Sequence, residues 1–268
     1  MRDFGGWLFD LDGVIYRGEQ LLDGASELIH WLDDHGRKVI FLSNNSTATP
    51  EEVTAKLRRL RVPDPEGRVV TAGAVAVDII ARRHPGARVF VLGLPAITQL
   101  VERANLRSVW QDSADGDVPD VVLSALDRTL TYDRLNRGLR AVLGGASFYS
   151  VNRDPRLPVE DGFEPGTGAI TVALEYASGR QAEIVGKPAP GIVLEAVRRM
   201  QLALDQTIMF GDGLDLDIVA GHAAGVTTAL VLTGLTSAEQ AKAAEGVRKP
   251  EMVFTDLTDV LAALRKEL

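Results

Sequence analysis

Short apolar runs that stop abruptly at polar residues recur along the chain. Trp7-Leu8-Phe9 gives way to Asp10-Leu11-Asp12-Gly13, and Val39-Ile40-Phe41-Leu42 to Ser43-Asn44-Asn45-Ser46. Continuous apolar runs of this length suit strands buried on both faces, and in a parallel sheet such strands deliver the residues that follow them to one edge. Between the runs the period changes. Leu28, Trp31 and Leu32 recur at helical spacing and predict a helix over about 25–35, with Gly36 suited to the left-handed position just past its end. Thr49-Pro50-Glu51-Glu52 predicts the next helix start, with Thr49 as cap, Pro50 at the first helical position and Glu52 completing a capping box. Ile184-Val185, Ile208-Met209-Phe210 and the run 228–232 read as later strands of the same kind, the last two separated by a helix ending near Gly225. Strands alternating with helices predict an α/β fold with a doubly wound parallel sheet.

The middle of the chain repeats the alternation on its own. Strands are expected at 88–92, 121–123 and 147–150, and helices at 96–103, 132–143 and 169–177. The expected organisation is a core made of 1–76 and 183–268, interrupted by a smaller inserted α/β domain over 77–182, with Thr71-Ala72-Gly73 and Gly179-Arg180 marking its flanks.

Composition and charge narrow the chemistry. The 268 residues are 46% apolar and 25% charged, an ordinary globular balance. A net charge of −8 and the lack of a strongly basic patch argue against nucleic acid as a partner. With no cysteine there is no thiolate nucleophile or thiolate zinc site, and His30, His35, His84 and His222 lack zinc-hydrolase spacing. Met1-Arg2-Asp3-Phe4-Gly5 has none of the features of a secretory leader, which predicts a cytoplasmic protein. The stretch 218–238 contains no Asp, Glu, Lys or Arg over about the length of a membrane span. Its Gly221, Gly225, Gly234 and five Thr or Ser residues favour a helix end, a buried strand and a loop over a membrane helix.

The polar residues after the core strands form a chemical set: Asp10 and Asp12, Ser43, Lys187, and Asp212 with Asp217. Crowded carboxylates need a cation, and hard oxygen ligands beside a phosphate favour Mg²⁺. Asp10 and Asp212 are the expected side-chain metal ligands, with the main-chain carbonyl of Asp12 as a further oxygen. A carboxylate that binds Mg²⁺ through one oxygen can present the other to phosphorus, which makes Asp10 the candidate nucleophile. Side chains alternate along an extended segment, so Asp12 returns to the same side one dipeptide later, as candidate general acid and base. The chain has six lysines against twenty-three arginines, so Lys187, in Val185-Gly186-Lys187-Pro188, is an unusual choice that fits a site demanding one compact charge. Ser43 is the candidate phosphate grip. Asn44 reads equally as a phosphate contact or as a cap for the helix near Thr49, and Asp217 equally as a site residue or as a partner for a helix dipole.

These four motifs, Asp-x-Asp-Gly, Ser-Asn-Asn, Val-Gly-Lys-Pro and Gly-Asp-Gly-Leu-Asp-Leu-Asp, resemble in order and context those of the haloacid dehalogenase superfamily. The likeness is strongest to its NagD and p-nitrophenylphosphatase-like subfamily, which carries a large α/β cap between the serine and lysine motifs. The stretch Val151-Asn152-Arg153-Asp154 through Pro165-Gly166-Thr167-Gly168-Ala169 is also similar to that family's cap. The resemblance implies that cap residues near Asn152 reach the substrate, that Asp217 supports the metal site, and that two copies pair through the cap. Leu216 stands where the family commonly has threonine, which leaves Asp215 as an alternative to Asp217. Arg153 and Arg156 are surface arginines that offer themselves to an anionic substrate, and the glycines of Pro165-Gly166-Thr167-Gly168 read as turn-formers.

The function this predicts is Mg²⁺-dependent hydrolysis of small phosphate monoesters through an aspartyl-phosphate, with sugar, glycerol, nucleotide and aryl phosphates open as substrates. Two alternatives use the same residues: a phosphotransferase or mutase passing phosphate to a sugar hydroxyl, and a non-catalytic sensor of phosphorylated metabolites.

Overall fold

A computed structural model describes residues 4–109, 118–159 and 162–266. The chain separates into two compact units: one gathers the segments up to Ser43, Pro50–Val70 and from Lys187 onward, the other Asn44–Thr49 and Thr71–Gly186.

The first unit is built on a six-stranded sheet in the order Met252–Phe254, Thr227–Val231, Thr207–Gly211, Gly6–Asp10, Lys38–Ser43, Val69–Thr71. Gly6–Asp10 pairs in parallel with both Thr207–Gly211 and Lys38–Ser43. The order of connection reverses at this first strand, the kind of switch point where open α/β sheets place ligands. All five residues of Gly6–Asp10 are buried, which explains its continuous apolar run. Trp7 and Phe9, two residues apart and so on one face, stack on Phe210 of the adjacent strand at centroid distances of 5.3 and 5.1 Å. The helix Ala25–Asp34 buries Ala25, Leu28, Ile29 and Leu32, one stripe at helical spacing. The stretch 218–238 resolves into the end of a short helix, Val219–Ala224, then Gly225 at φ 81°, the strand Thr227–Val231, and a loop. Among the described residues no helix is long and apolar enough to cross a membrane.

The second unit has its own parallel sheet of five strands, in the order Glu183–Ile184, Ser147–Ser150, Val121–Ser124, Arg88–Leu92, Arg107–Ser108. Phe90, Leu92, Val122, Val142, Phe148 and Leu174 form a core between this sheet and the helices Tyr132–Leu143 and Thr167–Ser178. The expected strands and helices of this region are present to within a residue or two. One strand is corrected. Ile184-Val185 reads as a strand of the core sheet, yet Glu183–Ile184 pairs with Ser147–Ser150 in the second unit. Two residues hold too little pattern to reveal which sheet they join.

Candidate active site

Three adjacent strands of the first sheet bring the acidic and hydroxyl groups to one edge. Asp10 is the last residue of Gly6–Asp10, Ser43 the last of Lys38–Ser43, and Asp212 the first after Thr207–Gly211. The register places Asp10 beside Leu42, so Ser43 lies one position further along the neighbouring strand. Asp10, Ser43, Lys187, Asp212 and Asp217 are all buried, whereas Asp12 is exposed.

Lys187 organises the cluster. Its ammonium donates to Asp10 Oδ1 at 2.5 Å and to Asp217 Oδ1 at 2.6 Å. The other Asp217 oxygen accepts the main-chain N–H groups of Asp212 (3.2 Å) and Gly213 (3.0 Å). Asp217 thus fixes the turn that carries Asp212 as well as the lysine. Asp215, the alternative, lies outside the cluster and pairs with Arg248 at 2.8 Å on the surface.

Asp212 is held by a loop that the sequence reading passed over. Leu235 N–H donates to Asp212 Oδ2 at 2.8 Å and the Thr236 hydroxyl to its carbonyl at 2.6 Å. The Thr233 hydroxyl donates to Gly13 O at 2.6 Å. Backbone approaches Asp212 closely: a Cβ on Gly234 would stand 1.8 Å from Asp212 Oδ2, and one on Gly13, at φ 83°, 2.3 Å from it. The only cue in the sequence is a Thr-Gly pair after an apolar run.

Oxygens of Asp10, Asp212 and Asp217 lie within 4.8 Å of one another. Crowding and burial leave their mark on the charges. Burial raises Asp10 to about 7, with Asp217 adding to the rise and Lys187 opposing it. Burial raises Asp212 to about 8, reinforced by Asp217 and Asp10. Burial works against the Lys187 ammonium, but the two carboxylates outweigh it and raise its pKa. Asp12 is raised by partial desolvation, against the pull of Lys56 and Arg17. An all-oxygen donor set that resists full ionisation by itself suits a hard divalent cation. The Asp12 side chain is not part of this cluster.

Comparisons with known proteins identify the family. Residues 7–107 match the family described as haloacid dehalogenase-like hydrolase, and 184–260 a second family of HAD hydrolase-like sequences. An acid sugar phosphatase of Staphylococcus epidermidis is 35% identical over 266 residues, 99% of this chain and 100% of that protein. The chain belongs to the haloacid dehalogenase-like hydrolase family. Among solved structures of the family, p-nitrophenyl phosphatase from Archaeoglobus fulgidus superposes with a TM-score of 0.90 at 33% identity, covering 98% of this chain and 100% of that one. Glycerol phosphate phosphatase from Mycobacterium tuberculosis, solved in complex with magnesium, gives a TM-score of 0.87 at 35% identity over 96% of this chain and 76% of that one. The α/β fold and the likeness to the p-nitrophenylphosphatase branch are therefore as the sequence predicts, and the chain is a phosphoric monoester hydrolase of this family.

The two expected site residues of the second unit meet each other there. Asn152 Nδ2 donates to the main-chain carbonyl of Asn44 at 2.6 Å, and Asn44 Nδ2 donates to the Asp154 carboxylate at 3.2 Å. Of the two arginines, Arg153 pairs with Glu175, while Arg156 lies over the Phe163 ring, 4.4 Å from its centroid.

Proposed function

We propose that the chain hydrolyses small organic phosphate monoesters with Mg²⁺, through an aspartyl-phosphate on Asp10, and that the unit formed mostly by 71–186 acts as a cap that selects the ester. The observation that carries this reading is the placement of Asp10 against Lys187, with Asp212 and Asp217, at the carboxyl edge where Ser43 also ends its strand.

Lys187 favours the ionised form of Asp10 against its burial, aligns it, and offsets the charge that phosphate adds. An Asp10 oxygen attacks phosphorus, and the phosphorus–ester bond breaks as Asp12 gives its proton to the departing oxygen. A water then attacks the aspartyl-phosphate, loses its proton to Asp12, and inorganic phosphate leaves. Asp12 needs to be protonated at the first step and ionised at the second, a pairing that the upward shift of an exposed carboxylate serves. Ser43 and nearby main-chain N–H groups hold phosphate oxygens. Asp10 and Asp212, with the Asp12 carbonyl, would hold Mg²⁺, which would supply charge neutralisation at the phosphate. Asp217 acts behind them, through Lys187 and the Asp212 turn.

The test is release of phosphate from p-nitrophenyl, glycerol and sugar phosphates, with Mg²⁺ and with a chelator. Turnover that stops on chelation and returns with Mg²⁺ is the expected result. Transfer of phosphate to a sugar hydroxyl in place of release would indicate the mutase reading, and no release from any ester the sensor.

A further inference from the structure

Segment 44–49 directly follows Ser43, yet it belongs to the second unit, and polar contacts within that unit hold it at several points. Asn152 is buried, 3% exposed, and its amide donates to Asn44 O at 2.6 Å. Asn152 Oδ1 accepts the N–H of Asp154 at 3.2 Å, which turns the Asp154 carboxylate toward the Asn44 amide, 3.2 and 3.3 Å away. The far side of this turn is fixed too. The Ser150 hydroxyl donates to Asn152 O at 2.7 Å, and Gly168 N–H to Asp154 O at 2.9 Å. Further along the segment, Ser46 Oγ lies 3.2 Å from Thr167 Oγ1 and accepts the N–H of Leu126 at 3.2 Å.

We propose that Asn152 and Asp154 are positioning residues: by gripping both the main chain and the side chain of Asn44, they set the direction in which the preceding residue, Ser43, presents its hydroxyl to phosphate. The inference rests on the reading of Ser43 as a phosphate ligand. A peptide plane links the Ser43 carbonyl to the Asn44 nitrogen, so a shift of the gripped residue rotates the strand end before it. Reaction sites respond steeply to displacements of this kind. The amide of Asn152 is thereby occupied in holding backbone, a different task from contact with the organic part of the ester.

The two tasks separate in kinetics of the full-length protein. Asn152→Asp keeps size and the acceptor for Asp154 N–H, but sets oxygen against the Asn44 carbonyl. The expected result is a rise of about tenfold in KM, the equivalent of about 1.4 kcal/mol, by the same factor for p-nitrophenyl and glycerol phosphates. Inhibition by inorganic phosphate should weaken by that factor as well. Asp154→Ala should act alike and Asp154→Asn, which keeps an acceptor, should restore near-native values. This pair carries the test if the Asn152 variant does not fold. A change confined to one ester with phosphate inhibition unchanged, or no change at all, overturns the proposal. Ser43→Ala tests the underlying reading separately: if it leaves phosphate inhibition intact, the role of Ser43 fails, whatever the Asn152 result.

Discussion

Asp10 shares the Lys187 ammonium with Asp217, which makes its removal a clean experiment. In Asp10→Asn, Lys187 keeps a carboxylate partner and one like charge leaves the crowd. The fold should therefore survive, seen as an unchanged circular dichroism spectrum, while turnover falls by several orders of magnitude. Full retained activity would sink the nucleophile assignment. Asp12 lies outside the carboxylate cluster and is exposed. Asp12→Ala should accordingly leave the Mg²⁺ dissociation constant, read by calorimetry, near its native value and slow turnover by about 10²–10⁴, the usual contribution of a positioned acid and base. Unchanged kinetics would exclude that role.

At the scale of elements, the loop after Thr227–Val231 positions Asp212, the proposed metal ligand, through Leu235, Thr236 and the close approach of Gly234. Gly234→Ala would place a methyl carbon against Asp212 Oδ2 and force loop and carboxylate apart. A loss of about 1–3 kcal/mol in urea unfolding is expected, the usual cost of overpacking, together with weaker Mg²⁺ binding. Native stability and affinity would show the loop to be more yielding than its packing implies. This loop also marks where the sequence stops being readable. Of the residues proposed for the chemistry, Asp10 and Ser43 were legible because they end apolar runs long enough to be buried strands, whereas Lys187 follows a strand of only two residues. Helices with clear periodicity, such as Tyr132–Leu143, were equally plain. Part of what escaped has little local signal. The short strands Val69–Thr71 and Met252–Phe254 are strands because a neighbour pairs with them, and Ala72–Arg83 is almost wholly small or β-branched in its first turns, so no amphipathic stripe announces it. Asn152 was legible only as part of a family motif, and its hydrogen bond to Asn44 spans 108 positions that no local pattern connects.

For the whole molecule, the carboxylate cluster couples stability to pH and metal. Asp10 and Asp212 hold protons up to about 7 and about 8 in the folded, metal-free protein, against 3.8 for the unfolded chain. Between those limits the folded state binds more protons than the unfolded one, so stability present below about pH 4 is lost as pH rises toward 8. Glu195, lowered to about 2 by hydrogen bonds from Arg198 and Arg199, acts at more acid pH and does not mask this. Melting in chelator should therefore occur at lower temperature at pH 8 than at pH 5. Mg²⁺ should close the gap at pH 8, where saturation a hundredfold above the dissociation constant contributes about 2.7 kcal/mol. A chelated protein that is more stable at pH 8 would contradict the cluster's charge state. The division of the chain also matters to anyone who would exchange specificities within the family. The second unit owns two stretches, Thr71–Gly186 and the six residues Asn44–Thr49 that follow Ser43, the proposed phosphate grip, in sequence. A chimera that transplants only the long stretch from a relative brings a foreign Asn152 counterpart to a native Asn44, and inherits a mismatch one residue from Ser43. The transplantable module is discontinuous, and its smaller piece is the one that a sequence-guided graft would leave behind.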